Sequence, residues 1–363
     1  MRGGDVLQES MFTVRTLNDF VPPEHPLRPI REILNAALKE MDELFTRMYS
    51  ECGRESIAPE RLLRGLVLQA LYSIRSERQL CEQLGYNMLF RWFVGIGMDD
   101  DAWDHSTYTK NRERLLEHEV MRELFAQVIT RAQAEGLLSG EHFSVDGTLI
   151  RAWASHKSFV PKDGPPPPQS GSRSNPEVDY KGAKRTNDTH ESTTDPQSRL
   201  FTKSSKVGAI PCYMGHALME NRHGLVIDTR LTQATGTAER EAALAMLAAR
   251  PGAHGKTVGA DKSYDHAAFV EGCREIGVTP HVAQNTSRRA SRIDERTTRH
   301  PGYALSQCIR KLIETLFADG KQHGVLRQVK LRGRERVDQV FTLAMTVANL
   351  RRLPKLIALH ASG

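Results

Sequence analysis

The chain has 363 residues, of which 39% are hydrophobic and 26% charged, and its formal net charge is +6. This composition is ordinary for a globular protein with its own core. The first residues lack the apolar core of a signal peptide, and no run approaches the roughly 20 apolar residues that span a bilayer. The five cysteines lack the paired spacing of a zinc site. These features exclude a membrane partner and predict a cytoplasmic protein with reduced thiols.

The N-terminal part of the chain is predicted to be helical. After a polar arm over residues 1–23, apolar residues recur at helical spacing from 27 to 49, and Pro59 suits the first position of another amphipathic helix. The sequence Ser76-Glu77-Arg78-Gln79 has the form of a capping box that opens a short helix. We therefore predict a helical domain over residues 24–98.

Two interpretations of this helical domain stay open. Short helices joined by a glycine turn can form a helix-turn-helix that enters a DNA groove. A small bundle that only dimerises would have the same spacing. Arg75, Arg78 and Arg91 are candidate DNA contacts, although solvated positions would explain them equally well.

Residues 99–138 are predicted to be a helical connector. The acidic run 99–105 precedes a helix, and acidic side chains favour a helix N-terminus. We prefer that role to a metal site. Ser106 is predicted to cap the first helix of the connector, and a second helix is predicted from about Glu119 to Glu135.

Residues 139–355 carry a mixed pattern of strands and helices. A sheet is predicted to begin at His142, and the polar, proline-containing stretch 160–206 is predicted to be a long loop or insertion. The later predicted elements are a hairpin (212–220 and 224–232), a helix (237–249), a strand ending at Asp261, a helix (266–276), a strand (278–283), a basic loop (284–300) and a helix (303–321). The pattern predicts an α/β fold with a mixed sheet flanked by helices, followed by a tail over 356–363.

Three carboxylates stand at related places in this pattern. Asp146 ends an apolar run before Gly147, Asp261 ends a later strand, and Glu314 lies on the last predicted helix. An Asp-Gly pair alone is also typical of a plain turn. Parallel neighbouring strands, however, would bring the two aspartates together. Because magnesium prefers a few carboxylates with water and phosphate, the three acids predict a two-metal site for phosphoryl transfer.

Basic residues accompany these acids. Arg310, Glu314 and Lys321 share one helix face, with Lys321 about 10.5 Å along the axis from Glu314. Two such cations suit the phosphates beside a cleaved bond, and surface ion pairs would have the same spacing. Nine Lys and Arg residues between 321 and 355, and five arginines between 288 and 299, suit a polyanionic partner, and a solvated basic face would explain them equally well.

Taken together, the motifs resemble the DDE transposases of bacterial insertion sequences, in particular the family-five-like group with a Tyr-x2-Arg-x3-Glu-x6-Lys helix. The resemblance covers nearly the whole chain and rests on SIRSERQLCEQLGYNMLFRWFVG, DHSTYTKNRERL, SVDGTLI, ATGTAEREAAL, VGADKSYD and RKLIETLFADGK. It implies a ribonuclease H-like fold and a catalytic, metal-binding triad of Asp146, Asp261 and Glu314. It also implies that Arg310 and Lys321 contact transposon-end DNA.

The chain departs from the pattern of that group at several positions. Gln307 stands where the pattern has tyrosine, and Tyr303 lies one turn earlier on about the same face, so both are predicted to lie at the DNA. Phe317-Ala318-Asp319 replaces a frequent Phe-Gly-Trp, and Ala348 stands where many relatives carry tyrosine. The triad is intact.

The resemblance implies a nucleoid-associated transposase that binds double-stranded DNA, both transposon ends and target, as a homodimer or larger assembly. It also implies two Mg²⁺ ions, with Mn²⁺ as a substitute, for cleavage at terminal inverted repeats and for strand transfer. The acids themselves support only metal-dependent phosphoryl transfer. The alternatives are a catalytically impaired repressor that binds the ends, and a nuclease that cuts without joining.

Overall fold

The structure is a computed structural model. It describes residues 14–49, 56–164, 186–202, 208–250, 255–287 and 290–362. Most of the predicted arm, much of the predicted insertion and two arginines of the basic loop, Arg288 and Arg289, lie outside the described residues.

The N-terminal part is all-helical, as predicted. Its helices are α1 (Leu17–Phe20), α2 (Leu27–Glu40), α3 (Asp42–Met48), α4 (Pro59–Leu71), α5 (Glu77–Tyr86), α6 (Met88–Val94), α7 (His105–Glu117) and α8 (Val120–Ala134). The cap at Ser76 is confirmed, because its side chain accepts a hydrogen bond from the backbone N–H of Gln79 at 3.1 Å. The helix predicted over 27–49 is divided at Met41, where the backbone leaves the helical conformation (φ −95°, ψ 5°).

The acidic run 99–105 does serve a helix N-terminus, but the cap is Asp104 and not Ser106. Asp104 Oδ1 accepts hydrogen bonds from the backbone N–H groups of Ser106 (2.8 Å) and Thr107 (3.4 Å). The hydroxyl and the N–H of Ser106 lower the pKa of Asp104. The prediction missed this because Ser106 and Asp104 are both good capping residues and only the backbone decides between them.

Arg91 is neither a candidate DNA contact nor a solvated residue. It is 5% exposed, and its guanidinium donates to the backbone carbonyls of Leu84 (2.8 Å), Met98 (3.2 Å) and Asp100 (2.5 Å). A buried cation needs such acceptors. Arg91 therefore fixes the turns around α6, and the prediction of a DNA contact at this position was wrong.

The second part of the chain is a mixed α/β structure. Its elements are β1 (His142–Arg151), β2 (Phe159–Pro161), β3 (His190–Ser192), β4 (Arg199–Phe201), β5 (Ile210–Glu220), β6 (Val226–Gln233), α9 (Ala238–Ala248), β7 (Lys256–Ala260), α10 (Ala267–Glu275), β8 (Val278–Val282), α11 (Glu295–Thr298), α12 (Pro301–Ile309), α13 (Lys311–Gln322) and α14 (Arg334–Ser362). The predicted hairpin is confirmed as β5 and β6. Part of the predicted insertion forms β3 and β4.

The main sheet has β1 at its centre. β1 pairs antiparallel with β5, which pairs antiparallel with both β6 and β4, and on its other side β1 is parallel to β7, which is parallel to β8. Three antiparallel strands followed by two parallel ones, in this spatial order, form a ribonuclease H-like sheet. The predicted fold class is confirmed.

Helices cover both faces of this sheet. Phe143 and Val145 of β1 lie in one core with residues of α9 and α10, whereas Ile150 lies in another core with residues of α13 and α14. Successive residues of a strand point to opposite faces, so the odd and even positions of β1 belong to different cores. The helix predicted over 303–321 is divided into α12 and α13 at Arg310, which keeps nearly helical angles (φ −54°, ψ −26°).

Helix α14 joins the two parts of the molecule. Phe341 and Met345 lie in the core beneath the sheet, while Leu350 and Leu353 lie in the core of the N-terminal helices. The helix continues through the predicted tail to Ser362. None of the helices in the described ranges is long and apolar enough to cross a membrane.

Candidate active site

Asp146 lies in the middle of β1, and Asp261 directly follows β7, the strand that runs parallel to β1. The pairing of β1 with β7 matches Phe143 with Val258 and Ser144 with Gly259. Two residues further along each strand, the same register places Asp146 beside Asp261, which directly follows β7. Parallel neighbouring strands lie about 4.8 Å apart. The structure confirms that β1 and β7 are parallel neighbours, and the placement of the two aspartates beside each other is what a continuation of their register predicts.

The helix pair α12–α13 covers the face to which these aspartates belong. A Cβ on Gly259 would lie 3.2 Å from the backbone oxygen of Ser306 and 3.4 Å from Cβ of Arg310. Gly259 therefore allows the helices to approach the sheet closely. Because side chains two residues apart on a strand share a face, Asp146 and Asp261 lie on the side of the sheet covered by these helices.

Both aspartates are half-buried and bonded within their own turns. Asp146 Oδ1 accepts the backbone N–H of Gly147 at 2.7 Å. Asp261 Oδ1 accepts the N–H of Ser263 at 2.9 Å and its hydroxyl at 2.5 Å. Burial raises the pKa of nearby Tyr264 well above its usual value, and the carboxylates of Glu239, Asp146 and Asp261 raise it further.

Glu314 stands in the first turn of α13 with 60% of its side chain exposed, and its Oε1 lies 3.5 Å from the guanidinium of Arg310. Within the described ranges, no group of three His, Cys, Asp or Glu side chains lies close enough together to hold a metal ion. The structure thus brings two members of the predicted triad together and places the third on the adjacent helix, paired with a cation. The triad stays a prediction.

Tyr303 and Gln307 bond to the ends of the strands. The Tyr303 hydroxyl donates to the carbonyl of Val282 at 3.0 Å, and the Gln307 amide donates to the carbonyl of His281 at 2.5 Å. The Gln307 oxygen accepts from Arg310 Nε at 2.8 Å. These bonds fix α12 on β8 and orient Arg310. A DNA contact by either residue stays a prediction.

Lys321 stands in the last turn of α13, whereas Glu314 stands in the first turn. Burial raises the pKa of the Cys212 thiol to about 12, and the positive charge of Lys321 acts in the opposite direction. Cys212 pairs with Arg151, the last residue of β1, which stands five residues or about 17 Å beyond Asp146. Arg310 packs against Gly259, two residues before Asp261, and Lys321 lies at the other end of α13, so the two cations are separated along that helix.

Comparison with protein families identifies the chain. The family described as "Transposase DDE domain" matches residues 139–350, and the family described as "Transposase domain (DUF772)" matches residues 15–114. The first match covers more than half of the chain. The chain belongs to the DDE transposase family. It is a transposase, an enzyme of a class that cuts DNA with the help of divalent metal ions.

Several solved structures are similar to this transposase. A piggyBac transposase synaptic complex with hairpin DNA is 12% identical, over 90% of this chain and 74% of that chain, with a TM-score of 0.38. A Mos1 transposase paired-end complex is 13% identical, over 89% and 87%, with a TM-score of 0.20. A pre-cleavage Mos1 transpososome is 13% identical, over 94% and 98%, with a TM-score of 0.25. A search of curated proteins found no match.

Sequence reasoning missed a buried acid next to the site. Asp265 is completely buried and accepts hydrogen bonds from the N–H groups of Asn285 (2.7 Å) and Arg292 (2.8 Å) and the hydroxyl of Ser291 (2.7 Å). It thereby holds the basic loop of the transposase against the turn that follows Asp261. An aspartate four residues after a strand gave no signal of this role, because its partners are 20 or more residues away.

The departures at Asp319 and Ala348 meet in space. Both line one cavity of about 20 Å³ between α4, α13 and α14. Asp319 pairs with Arg351, whose guanidinium also donates to the backbone carbonyl of Leu71 at 2.8 Å. An ion pair thus connects the helix of Glu314 to the N-terminal helices.

Proposed function

We propose that this transposase binds the terminal inverted repeats of an insertion sequence, cleaves the DNA there and joins the freed end to target DNA, using two Mg²⁺ ions held by Asp146, Asp261 and Glu314. One observation supports the proposal: β1 and β7 are parallel neighbours whose register, continued by two residues, would bring Asp146 beside Asp261, on the face covered by the helix of Glu314. The protein would act at the nucleoid as a homodimer or larger assembly, because both ends must be processed.

The donor set fits a magnesium site. Asp146 and Asp261 are half-buried carboxylates, and Glu314 is exposed on the adjacent helix. Magnesium accepts one or two carboxylates and keeps other positions for water and phosphate, and Mn²⁺ shares this preference for oxygen ligands. Two such ions, when bound, would activate the attacking oxygen and stabilise the leaving one.

The chain's own residues would orient the DNA. Arg310, bonded to Gln307 and paired with Glu314, can present its guanidinium to a phosphate when Glu314 turns toward the aspartates. A guanidinium matches two phosphate oxygens at once. Lys321, in the last turn of α13, would contact the backbone further along the same DNA. Tyr303 and Gln307 would support these contacts by holding α12 in place.

Cleavage and joining can be tested with one DNA substrate. A duplex that carries the element's terminal repeat is incubated with the protein, either with EDTA or with Mg²⁺ in excess, and then with target DNA. The proposal expects cutting at the repeat and covalent joining, both dependent on metal. Cutting without joining would identify a nuclease, and binding without cutting would identify a repressor. Either result would overturn the proposal.

A further inference from the structure

A further acidic residue, Glu239, lies against Gly147, the residue that follows Asp146 on β1. Gly147 follows Asp146 on β1, and a Cβ on Gly147 would lie 2.8 Å from both Cγ and Oε1 of Glu239. Real Cβ atoms do not approach other atoms so closely. A side chain at position 147 would therefore displace Glu239, whose side chain occupies that space.

Glu239 and the Asp146 side chain lie on opposite faces of β1. Neighbouring residues of a strand point in opposite directions, so the Cβ direction of Gly147, and with it Glu239, lies on the face opposite to Asp146. Glu239 is half-buried in the first turn of α9, and that helix belongs to the α9–α10 side of the sheet. From this position Glu239 supports the strand and does not share the metal-facing side with Asp146.

The next residue of α9 reaches the second aspartate's turn. Arg240 Nη1 lies 3.4 Å from the backbone oxygen of Ser263, and Ser263 is the residue that donates both hydrogen bonds to Asp261. Arg240 also donates to the carbonyl of Gly236 at 2.9 Å, within its own turn. The first turn of α9 thus touches the backbone next to each aspartate.

We propose that Glu239 is a positioning residue for the active site, which packs against Gly147 and fixes the β1 backbone so that Asp146 meets Asp261. The inference rests on the proposed function, because it assigns Asp146 to the metal. Mutation of a residue that supports a metal ligand commonly lowers metal affinity or activity by about 10- to 100-fold. The packing of the side chain, and not its charge, is what positions the strand.

The test uses Mn²⁺ as the probe and the full-length protein. Mn²⁺ binding is followed by electron paramagnetic resonance without DNA, and the Mn²⁺ concentration for half-maximal cleavage is measured with saturating DNA. Glu239→Ala should lower the affinity for Mn²⁺ and raise the half-maximal Mn²⁺ concentration, each by about tenfold. Glu239→Gln, which keeps the shape of the side chain, should give values near those of the wild type. Glu241→Ala is the matched control, because it removes an exposed acid from the same turn.

A double variant tests the packing of Glu239 on Gly147 directly. Gly147→Ala should raise the half-maximal Mn²⁺ concentration strongly in the wild-type background and should have little further effect in the Glu239→Ala background, where the space is open. Equal effects in both backgrounds would overturn the inference. So would a loss in Glu239→Gln as large as that in Glu239→Ala, since Glu239 would then act through its charge.

Failure of the proposed function would look different. If wild-type protein and Asp146→Asn bind Mn²⁺ equally, the triad is wrong and the positioning role ends with it. If Asp146→Asn loses Mn²⁺ binding while Glu239→Ala behaves like Glu241→Ala, the proposed function survives and only the inference about Glu239 is overturned.

Discussion

Asp261 and Asp265 are four residues apart, and they differ in burial and in the hydrogen bonds that they accept. Asp261 is half-buried, and it accepts its hydrogen bonds from Ser263 in its own turn. Asp265 has no exposed surface and binds three donors in the loop around residues 285–292. The Asp261 carboxylate keeps an open side for a ligand, whereas the Asp265 carboxylate is satisfied by hydrogen bonds from the protein.

The difference shows how an acid can be assigned to chemistry or to structure. A buried carboxylate is stable only when donors satisfy it, so the loop that satisfies Asp265 is fixed by it. A carboxylate that bonds only its own turn keeps lone pairs for a metal ion, and its removal costs the fold little. The acids of this transposase should therefore separate cleanly in stability and activity measurements.

The largest effect is expected on DNA cleavage by variants of the three proposed metal ligands. Asp146→Asn, Asp261→Asn and Glu314→Gln should each reduce DNA cleavage by at least about 10³-fold, because metal-assisted charge stabilisation amounts to several kcal/mol. Binding of transposon-end DNA should be retained or rise slightly, since a negative charge near phosphate is removed. Gel-shift and cleavage assays on the same preparations measure both. A variant that cuts normally in Mg²⁺ would not belong to the triad.

Asp265→Asn should show the converse behaviour. An asparagine amide cannot accept all three hydrogen bonds, and each bond to a charged group contributes about 1.5–3 kcal/mol, so we expect a fall of about 3 kcal/mol in the free energy of unfolding. Urea unfolding measures it, with Glu271→Gln, an exposed acid on α10, as the control. Asp261→Asn should unfold like the control. Equal destabilisation of Asp261→Asn and Asp265→Asn would remove the distinction between them.

Arg310 and Lys321 should have smaller, separable effects. Arg310→Ala and Lys321→Ala should weaken DNA binding and misplace the cut without abolishing metal binding. Lys321→Arg should keep more activity than Arg310→Lys, because a directional fork is needed at Arg310 and a point charge suffices at Lys321. If the Arg310–Glu314 contact is only a surface ion pair, Arg310→Ala should cost less than about 1 kcal/mol of stability and leave cleavage unchanged. Melting and cleavage measured together distinguish these outcomes.

The smallest effect concerns the basic residues between 321 and 355. Arg327 and Arg332 are exposed, so replacing either by alanine should lower the slope of log K against log salt by about 0.9 for each phosphate that the variant no longer neutralises. Arg352, half-buried and donating to the carbonyl of His223 at 3.0 Å, is the control. Its alanine variant should lose stability and keep the slope. A flat salt dependence of the wild type would show that this surface does not meet DNA.

Much of the transposase could be predicted from the sequence. Helical periodicity, the cap at Ser76 and the asparagine-containing turn between β5 and β6 depend on residues within one or two turns, and local patterns determine such features. The acids Asp146, Asp261 and Glu314 were recognisable because each stands at a fixed place in its own short motif. The parallel arrangement of β1 and β7 followed from the helix between them.

Other features depended on residues that are distant in sequence, and only the tertiary structure decided them. Arg91 is buried because carbonyls on both sides of α6 converge on it, and Asp265 is structural because a loop 20 residues later folds back to it. Gly147 packs against Glu239, 92 positions away, whose side chain fills the space of a Cβ there. In each case the local sequence permits both an exposed and a buried side chain, and the packing of distant backbone determines which occurs.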